Sequence, residues 1–479
     1  MNQEQKPLVE ALEKFKTNSP VSFHVPGHKN GLIGQAAFLQ AAGQFDMTEL
    51  STLDDLHAPE GAIKESMELL RSHYQSAASY FLVNGSTVGN LTMLLACCNP
   101  GDTVLIASNS HKSIMNACSL SGVKPVFLEP EVHFETSTAS GLSAKVLQQA
   151  CMKYREAKAL VITYPSYYGH TIDIEGLIQA AKANRLLVLV DEAHGAHLTL
   201  GAPFPQSALL AGADLVVHSA HKTLPALTMG SYLHIGKEAA IDQKKVERVL
   251  SMLQSSSPSY LIMASLDEAR AFLAGYTQDD ISWFTAERDW FLSELEAIEG
   301  VRVIEAEDPL KLMIRVRSLT GYELQQKLEE RFIYPELADP LQVLLILPLL
   351  KKGISYQDAF KRMILALKEI SRDVKSGVKD LPVYEVARGE PVKELSMPAA
   401  EAENAQAEWV KLENAEGKIA AASIIPYPPG IPFIIAGERL TNDKIIRLLH
   451  WAGRHLRFQG EQRIDSGEIK IVKDFGGTT

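Results

Sequence analysis

Cysteine is scarce. Cys97, Cys98, Cys118 and Cys151 are the only four in 479 residues. No two of them have the C-x-x-C spacing of a zinc or redox pair, so neither a disulfide framework nor a thiolate metal centre is indicated. A reduced cytoplasm is then the default compartment. Long apolar runs are also missing. No stretch of about 18 apolar residues occurs, so no membrane span is expected, and Met1–Lys6 lacks the apolar core of a signal peptide. Excess positive charge is absent too. With 47 Lys and Arg against 58 Asp and Glu, the formal net charge is −11. That balance argues against a nucleic-acid partner and is compatible with cationic ligands. There is no internal repeat and no long low-complexity tract.

What remains is an ordinary globular composition, 46% hydrophobic and 22% charged, in a chain too long for one core. Helical spacing of Leu8, Leu12 and Phe15 predicts a first helix up to about residue 18. The loop 22–31 follows, fixed by Pro26-Gly27 and Asn30-Gly31. From about residue 60, short apolar strands alternate with helices. The strands are 80–83, 103–107, 125–128, 159–163 and 186–190; the helices are 60–74, 88–98, 112–121 and 175–184. Such alternation means βαβ units and a mainly parallel sheet covered on both faces. Past about 305 the pattern changes to strands at 312–316 and 343–347 with helices at 321–331 and 356–372. A charged stretch rich in Pro, Ala and Glu, 374–408, reads as a linker with some helix. The proline-dense run 424–432 is unsuited to a central strand, and 464–472 is polar enough to be peripheral. The expected division is an N-terminal arm (1–50), a large α/β domain (51–305) and a smaller α+β region (306–479).

In sheets of this kind ligands bind at the carboxyl ends of the strands, and four polar clusters fall there. Lys222 lies in Ser219-Ala220-His221-Lys222-Thr223, after the apolar run 213–218. Burial lowers a lysine pKa and exposes the lone pair that a carbonyl-linked lysine needs, although an isolated lysine at a strand end also snorkels to water. Asn84-Gly85-Ser86-Thr87 joins a strand to a helix. Its free N–H groups and hydroxyls suit an anion, or they form a plain Ser/Thr cap. His111, in 108–113, has a ring that could stack on a flat cofactor, or it sits in an N-cap region. Asp191 heads the segment Asp191–His197 at the tip of a buried run and needs a cationic partner; the spacing there matches no compact zinc pattern. A phosphate cradle, a stacking ring, a strand-end aspartate and a strand-end lysine, in that order, describe a site for pyridoxal 5′-phosphate.

The sequence also resembles the Orn/Lys/Arg decarboxylase class-I family, whose members are fold type I (aspartate-aminotransferase-like) pyridoxal phosphate enzymes. The matching stretches are Phe23–Gly31, Leu53–Gly61, Phe81–Asn90, Asp191–His197, Ser219–Lys222, Ser256–Tyr260 and Pro426–Pro432 with Gly437-Glu438. The likeness runs from about residue 7 to 460, and by length it is to the compact Gram-positive-type members. It implies an α/β fold with a mainly parallel large-domain sheet and a smaller α+β C-terminal domain. It implies Lys222 as the lysine linked to the cofactor, Asp191 at the pyridine nitrogen and His111 on the ring. Gly85, Ser86, Thr87, Ser219 and His221 would hold the phosphate, with Ala193 packed under the ring. His194 stands where larger relatives often carry tryptophan. Ser256 and Ser257 would reach the neighbouring subunit's cofactor, so at least a homodimer with shared sites is implied, although the same block also reads as a Ser-rich turn before a helix. The implied reaction is decarboxylation of a basic amino acid, with arginine or lysine slightly preferred over ornithine. A basic side chain needs acidic groups, and Asp54, Asp55 and Glu438 are the candidates. Transamination or side-chain elimination would share Lys222 and Asp191; Arg439 and Arg454 keep a carboxylate clamp of that kind open. A regulatory pseudo-enzyme is the reading from another class.

Overall fold

The computed structural model describes all residues except 51, 375–389, 427–429, 453–457, 461 and 474–479. Its centre is an eight-stranded sheet. The strands are β1 (Ala78–Leu82), β2 (Thr103–Ala107), β3 (Lys124–Leu128), β4 (Ala159–Thr163), β5 (Leu187–Asp191), β6 (Leu215–His218), β7 (Ser231–Ile235) and, far along the chain, β12 (Val392–Glu394). The spatial order is β1-β7-β6-β5-β4-β2-β3-β12. Pairs from β3 through β2, β4 and β5 to β6 are parallel. β7 runs antiparallel to both of its neighbours, and β12 antiparallel to β3.

The strands read as continuous apolar runs because both faces are buried. Val188 and Val190 enter one core with Leu105, Leu160 and Val216. Leu189 points the other way, into a second core with Val104, Val161 and Val217. Helix α1 (Pro7–Thr17) inserts Leu8 and Leu12 into the first core beside α2 (Ala62–Tyr74). Asp54 is what starts α2. One of its carboxylate oxygens accepts from the N–H groups of Gly61, Ile63 and Lys64, and the other from Asp55 and Glu60.

A four-stranded antiparallel sheet follows, from β8 (Val301–Glu305), β9 (Lys311–Val316), β10 (Leu337–Ala338) and β11 (Val343–Ile346), in the order β8-β9-β11-β10. Two amphipathic helices, Gln278–Glu296 and Gln357–Asp373, cover it with a core of their own that includes Phe291, Phe360 and Leu367. Three sequence expectations differ from this. Within 374–408, read as a linker, the described part supplies β12, because Val392 packs against the first core. The helix expected from 88 begins at Gly85 (α3, Gly85–Cys97). The segment 464–472 is not peripheral. Its strand Glu468–Val472 pairs with Ala407–Lys411, and Ile469 and Ile471 are buried in the last core. Their alternation with Glu468 and Lys470 marks a half-buried strand despite the polar average.

Candidate active site

Loops at the carboxyl ends of β1, β2, β4, β5 and β6 close around one cleft of about 1110 Å³. β7 lies between β6 and β1 and is antiparallel to both, so those two strands point the same way. The loop after β1 and the loop carrying Lys222 therefore emerge at one end of the sheet. Gly85, with φ of +80°, turns the chain out of β1 into α3. Asn84 makes no side-chain cap there, so the first N–H groups of α3 remain free for an anion at the cleft wall. Ser219 Oγ donates to Ser86 Oγ across 2.7 Å and ties the two loops together.

Asp191, the last residue of β5, is 3% exposed. Asn90 Nδ2 on α3 donates to its Oδ2 at 2.8 Å, and the Ala193 N–H to its Oδ1 at 3.2 Å. Both bonds aim the carboxylate and leave lone pairs for a cation. His111 is itself the N-cap of α4 (Lys112–Ser121). Its Nδ1 accepts from the Ser113 N–H, which orients the ring at the cleft and leaves the proton of the neutral ring on Nε2. Burial lowers its pKa, partly offset by Asp191. Capping and facing the cleft, open alternatives in the sequence, are here one arrangement. His221 Nδ1 donates to the Gly230 carbonyl, and burial lowers its pKa.

Lys222 ends a short 3-10 turn, Ala220–Lys222. Burial lowers its pKa, against the pull of Asp191 and Glu336. Its Nζ lies 3.1 Å from His194 Nε2. The other ring nitrogen of His194, Nδ1, lies 2.9 Å from Nζ of Lys311, the first residue of β9. Burial, and then the two lysines, hold His194 well below the usual histidine pKa, so the ring is neutral. The Tyr167 ring stands edge-on to it at 4.6 Å, and Tyr167 Oη donates to Glu336 Oε1 at 2.5 Å.

The cleft thus gathers Gly85, Ser86, Thr87, His111, Asp191, Ala193, His194, Ser219, His221 and Lys222. It does not gather the other candidates. Asp54 is spent on the start of α2, and Asp55 Oδ1 accepts from the His57 N–H. Glu438 is locked between Lys393 at 2.9 Å and Lys444 at 2.5 Å. Within one chain these carboxylates do not line the cleft, and each is held by a local partner. Ser256 and Ser257 are exposed and absent from the lining. Arg439 donates to the Gly417 carbonyl, and Arg454 lies outside the described residues. Tyr167, Lys311, Glu336 and Asn90 were not foreseen. Tyr167 had a signal, since it follows β4 as the other site loops follow their strands. Glu336 had none.

These residues fit pyridoxal phosphate. Free helix N–H groups and hydroxyls meet a phosphate, Asp191 meets a ring cation, and an amine of lowered basicity faces the same space. Asn109 Oδ1, Thr163 Oγ1 and Thr223 Oγ1 also line the cleft, buried and without a hydrogen-bond partner among the described residues. Among the described residues no three His, Cys, Asp or Glu side chains group as a metal ion requires.

The fold is that of the fold type I pyridoxal phosphate enzymes. The lysine decarboxylase LdcF of Francisella novicida superposes with a TM-score of 0.81 over 98% of this chain and 81% of that one, at 19% identity. Serine palmitoyltransferase of Sphingomonas wittichii shares less, with a TM-score of 0.52 over 65% of this chain and 76% of that one, at 17% identity. Within that class the chain belongs to the Orn/Lys/Arg decarboxylase family. The family's major domain matches residues 6–288 and its C-terminal domain residues 384–457. The arginine decarboxylase of Bacillus subtilis is 34% identical over 99% of both chains. The uncharacterised protein YaaO of the same organism is 43% identical over 97% of this chain and 98% of its own. The protein is an amino acid decarboxylase acting on basic amino acids, with pyridoxal 5′-phosphate as its cofactor. No described helix is long and apolar enough to cross a membrane.

Proposed function

We propose that the substrate is arginine or lysine, arginine first, and that Lys222 carries the cofactor. The observation that carries the reading is the buried Lys222 amine in one cleft with Asp191 and the free start of α3. Asp191 would pair with the ring nitrogen, and His111 and Ala193 would pack against the ring. Gly85 to Thr87, Ser219 and His221 would hold the phosphate. Bound pyridoxal phosphate supplies the electron sink for the pair left when the α-carboxylate departs as CO₂. Lys222 Nζ, with His194 beside it at 3.1 Å, would be the group that gives a proton to Cα.

The far end of a basic substrate needs an acidic partner. Glu336, a cleft-lining carboxylate hydrogen-bonded to Tyr167, is the group assigned to it in this proposal. A planar guanidinium takes a carboxylate through two parallel bonds, and the similarity to an arginine decarboxylase over the whole length supports arginine. Incubation with arginine, lysine and ornithine separately, with amine and CO₂ measured, tests this. Turnover of ornithine alone overturns it.

The working unit in this proposal is a dimer, in a reduced cytoplasm. Val21, Phe23, Val25, Leu32 and Phe38 on the N-terminal arm are 65–93% exposed, a density of bare apolar side chains that suits cover by a second copy. Ser259, not Ser256 or Ser257, caps the helix Tyr260–Ala274. Ser257 joins the local turn through its backbone bonds to Ser255 Oγ, and the shared-site reading gives the exposed side chains of Ser256 and Ser257 a role at the partner's phosphate.

A further inference from the structure

Lys311 is fully buried, yet it ends on a polar atom. Its stem passes Gly169, where a Cβ would come within 2.5 Å of Lys311 Cγ, so the turn after β4 leaves room for this side chain. Among the described residues, the one hydrogen bond of its Nζ is to His194 Nδ1, and His194 Nε2 faces Lys222 Nζ. A neutral imidazole has one N–H and one lone pair. It cannot accept from two ammonium groups at once, so the row Lys222–His194–Lys311 holds one proton fewer than two ordinary lysines would.

We propose that Lys311 is a positioning residue that stores the proton Lys222 must lose before its amine can bond to the cofactor aldehyde. Two arrangements satisfy the geometry. In one, the Lys222 ammonium donates to Nε2 and the His194 Nδ1–H donates to a neutral Lys311. In the other, Lys311 is the ammonium donating to Nδ1, and the Nε2–H faces a neutral Lys222. Passing from the first to the second moves one proton from Lys222 Nζ to Nε2 and another from Nδ1 to Lys311 Nζ. His194 stays neutral and changes only its tautomer. The charges around the row hold it near balance. Asp308 and Glu336 favour the charged Lys311, Asp191 and Glu336 the charged Lys222, and burial opposes both. Tyr167 stands edge-on to His194, and the charges of His197 and His221 also act on it. Lys311 is lowered to about 8, within reach of a proton handed on at neutral pH. Asp308 Oδ1 is held by His197 and the Leu310 N–H, while its buried Oδ2 has no protein partner.

The inference rests on Lys222 as the attachment residue, and its test separates the two. Full-length protein stripped of cofactor is mixed with pyridoxal phosphate across a pH series, and the adduct is trapped with borohydride and located by peptide mass. The midpoint of the attachment rate is expected to rise by about one pH unit in Lys311→Met, because Nε2 then accepts from the Lys222 ammonium without competition. In wild type, ¹⁵N resonances of His194 are expected to show the ring proton on Nδ1 before loading and on Nε2 after. An unmoved midpoint with the adduct on Lys222, or the same ring nitrogen protonated in both forms, overturns the relay and leaves the attachment site standing. An adduct on Lys311 overturns both. The resonances come from wild type, so the test survives a variant that fails to fold.

Discussion

Gly169→Ala should weaken the protein more than its backbone angle alone explains. At Gly169 φ is +87°, and a Cβ would lie 2.5 Å from Lys311 Cγ, 2.8 Å from Lys311 Cβ and 3.1 Å from Ala306 Cβ. The left-handed angle costs an alanine about 1–2 kcal/mol. Forcing apart buried groups costs about 1–3 kcal/mol more, and Lys311 Cβ, fixed to β9, has little freedom to yield. The total is about 2–5 kcal/mol. Gly353 is the internal control, since its φ is +86° and nothing lies within 4 Å of its Cβ. Gly353→Ala should therefore show the angle alone, about 1–2 kcal/mol. Both variants would be melted with saturating cofactor and followed by far-ultraviolet circular dichroism. Gly169→Ala should melt lower than Gly353→Ala and lose decarboxylase activity, because displaced Lys311 no longer meets His194. Equal losses of stability in the two variants, with full activity in both, would refute the packing argument.

Four further outcomes are expected. Lys222→Ala should abolish both the borohydride-trapped adduct and turnover; a reducible adduct with normal activity would remove Lys222 from its role. Asp191→Asn should still bind pyridoxal phosphate but turn over roughly ten- to a hundredfold more slowly, the worth of a hydrogen bond to a charged group; a wild-type rate would separate Asp191 from the ring nitrogen. Glu336→Gln should raise KM for the basic substrate about tenfold with kcat little changed, and an unchanged KM would place the distal carboxylate elsewhere. Lys222→Ala chains mixed with chains carrying Ser256→Trp and Ser257→Trp should recover at most about a quarter of wild-type activity, since half the dimers are mixed and each holds one intact site. No recovery, with subunit exchange confirmed by mass, would deny the serines a place in the partner's site.

The sequence was most legible where burial and motif coincide. Leu187–Asp191 is a run that only a doubly covered strand supports, so Asp191 at its tip stood out. Lys222 stood out for the same reason after Leu215–His218. Asp54, Asp55 and Glu438 have partners that are settled in three dimensions, where the sequence does not show them. Asp54 is next to α2 in sequence and is consumed by it, whereas Glu336 reaches the cleft through a sheet edge formed by later pairing. Lys311 was hidden by being polar at the start of an apolar strand, where snorkelling to water is the ordinary expectation. Its full burial, its bond to His194 and the close approach of Gly169 show that the chain keeps it inside.

The tie between Ser219 and Ser86 joins positions 133 residues apart. The loop with Lys222 and the strand after it, β7, form locally, but the start of α3 meets them only when the whole intervening βαβ stretch has wound into place. A phosphate held by both loops, as proposed above, would act as a clasp on that long circuit. Drawing the cofactor out should loosen the seam where β1 lies on β7 before it disturbs the parallel middle of the sheet. Amide hydrogens of Ala78–Leu82 should then exchange faster on stripping, while those of Leu187–Asp191 keep their protection.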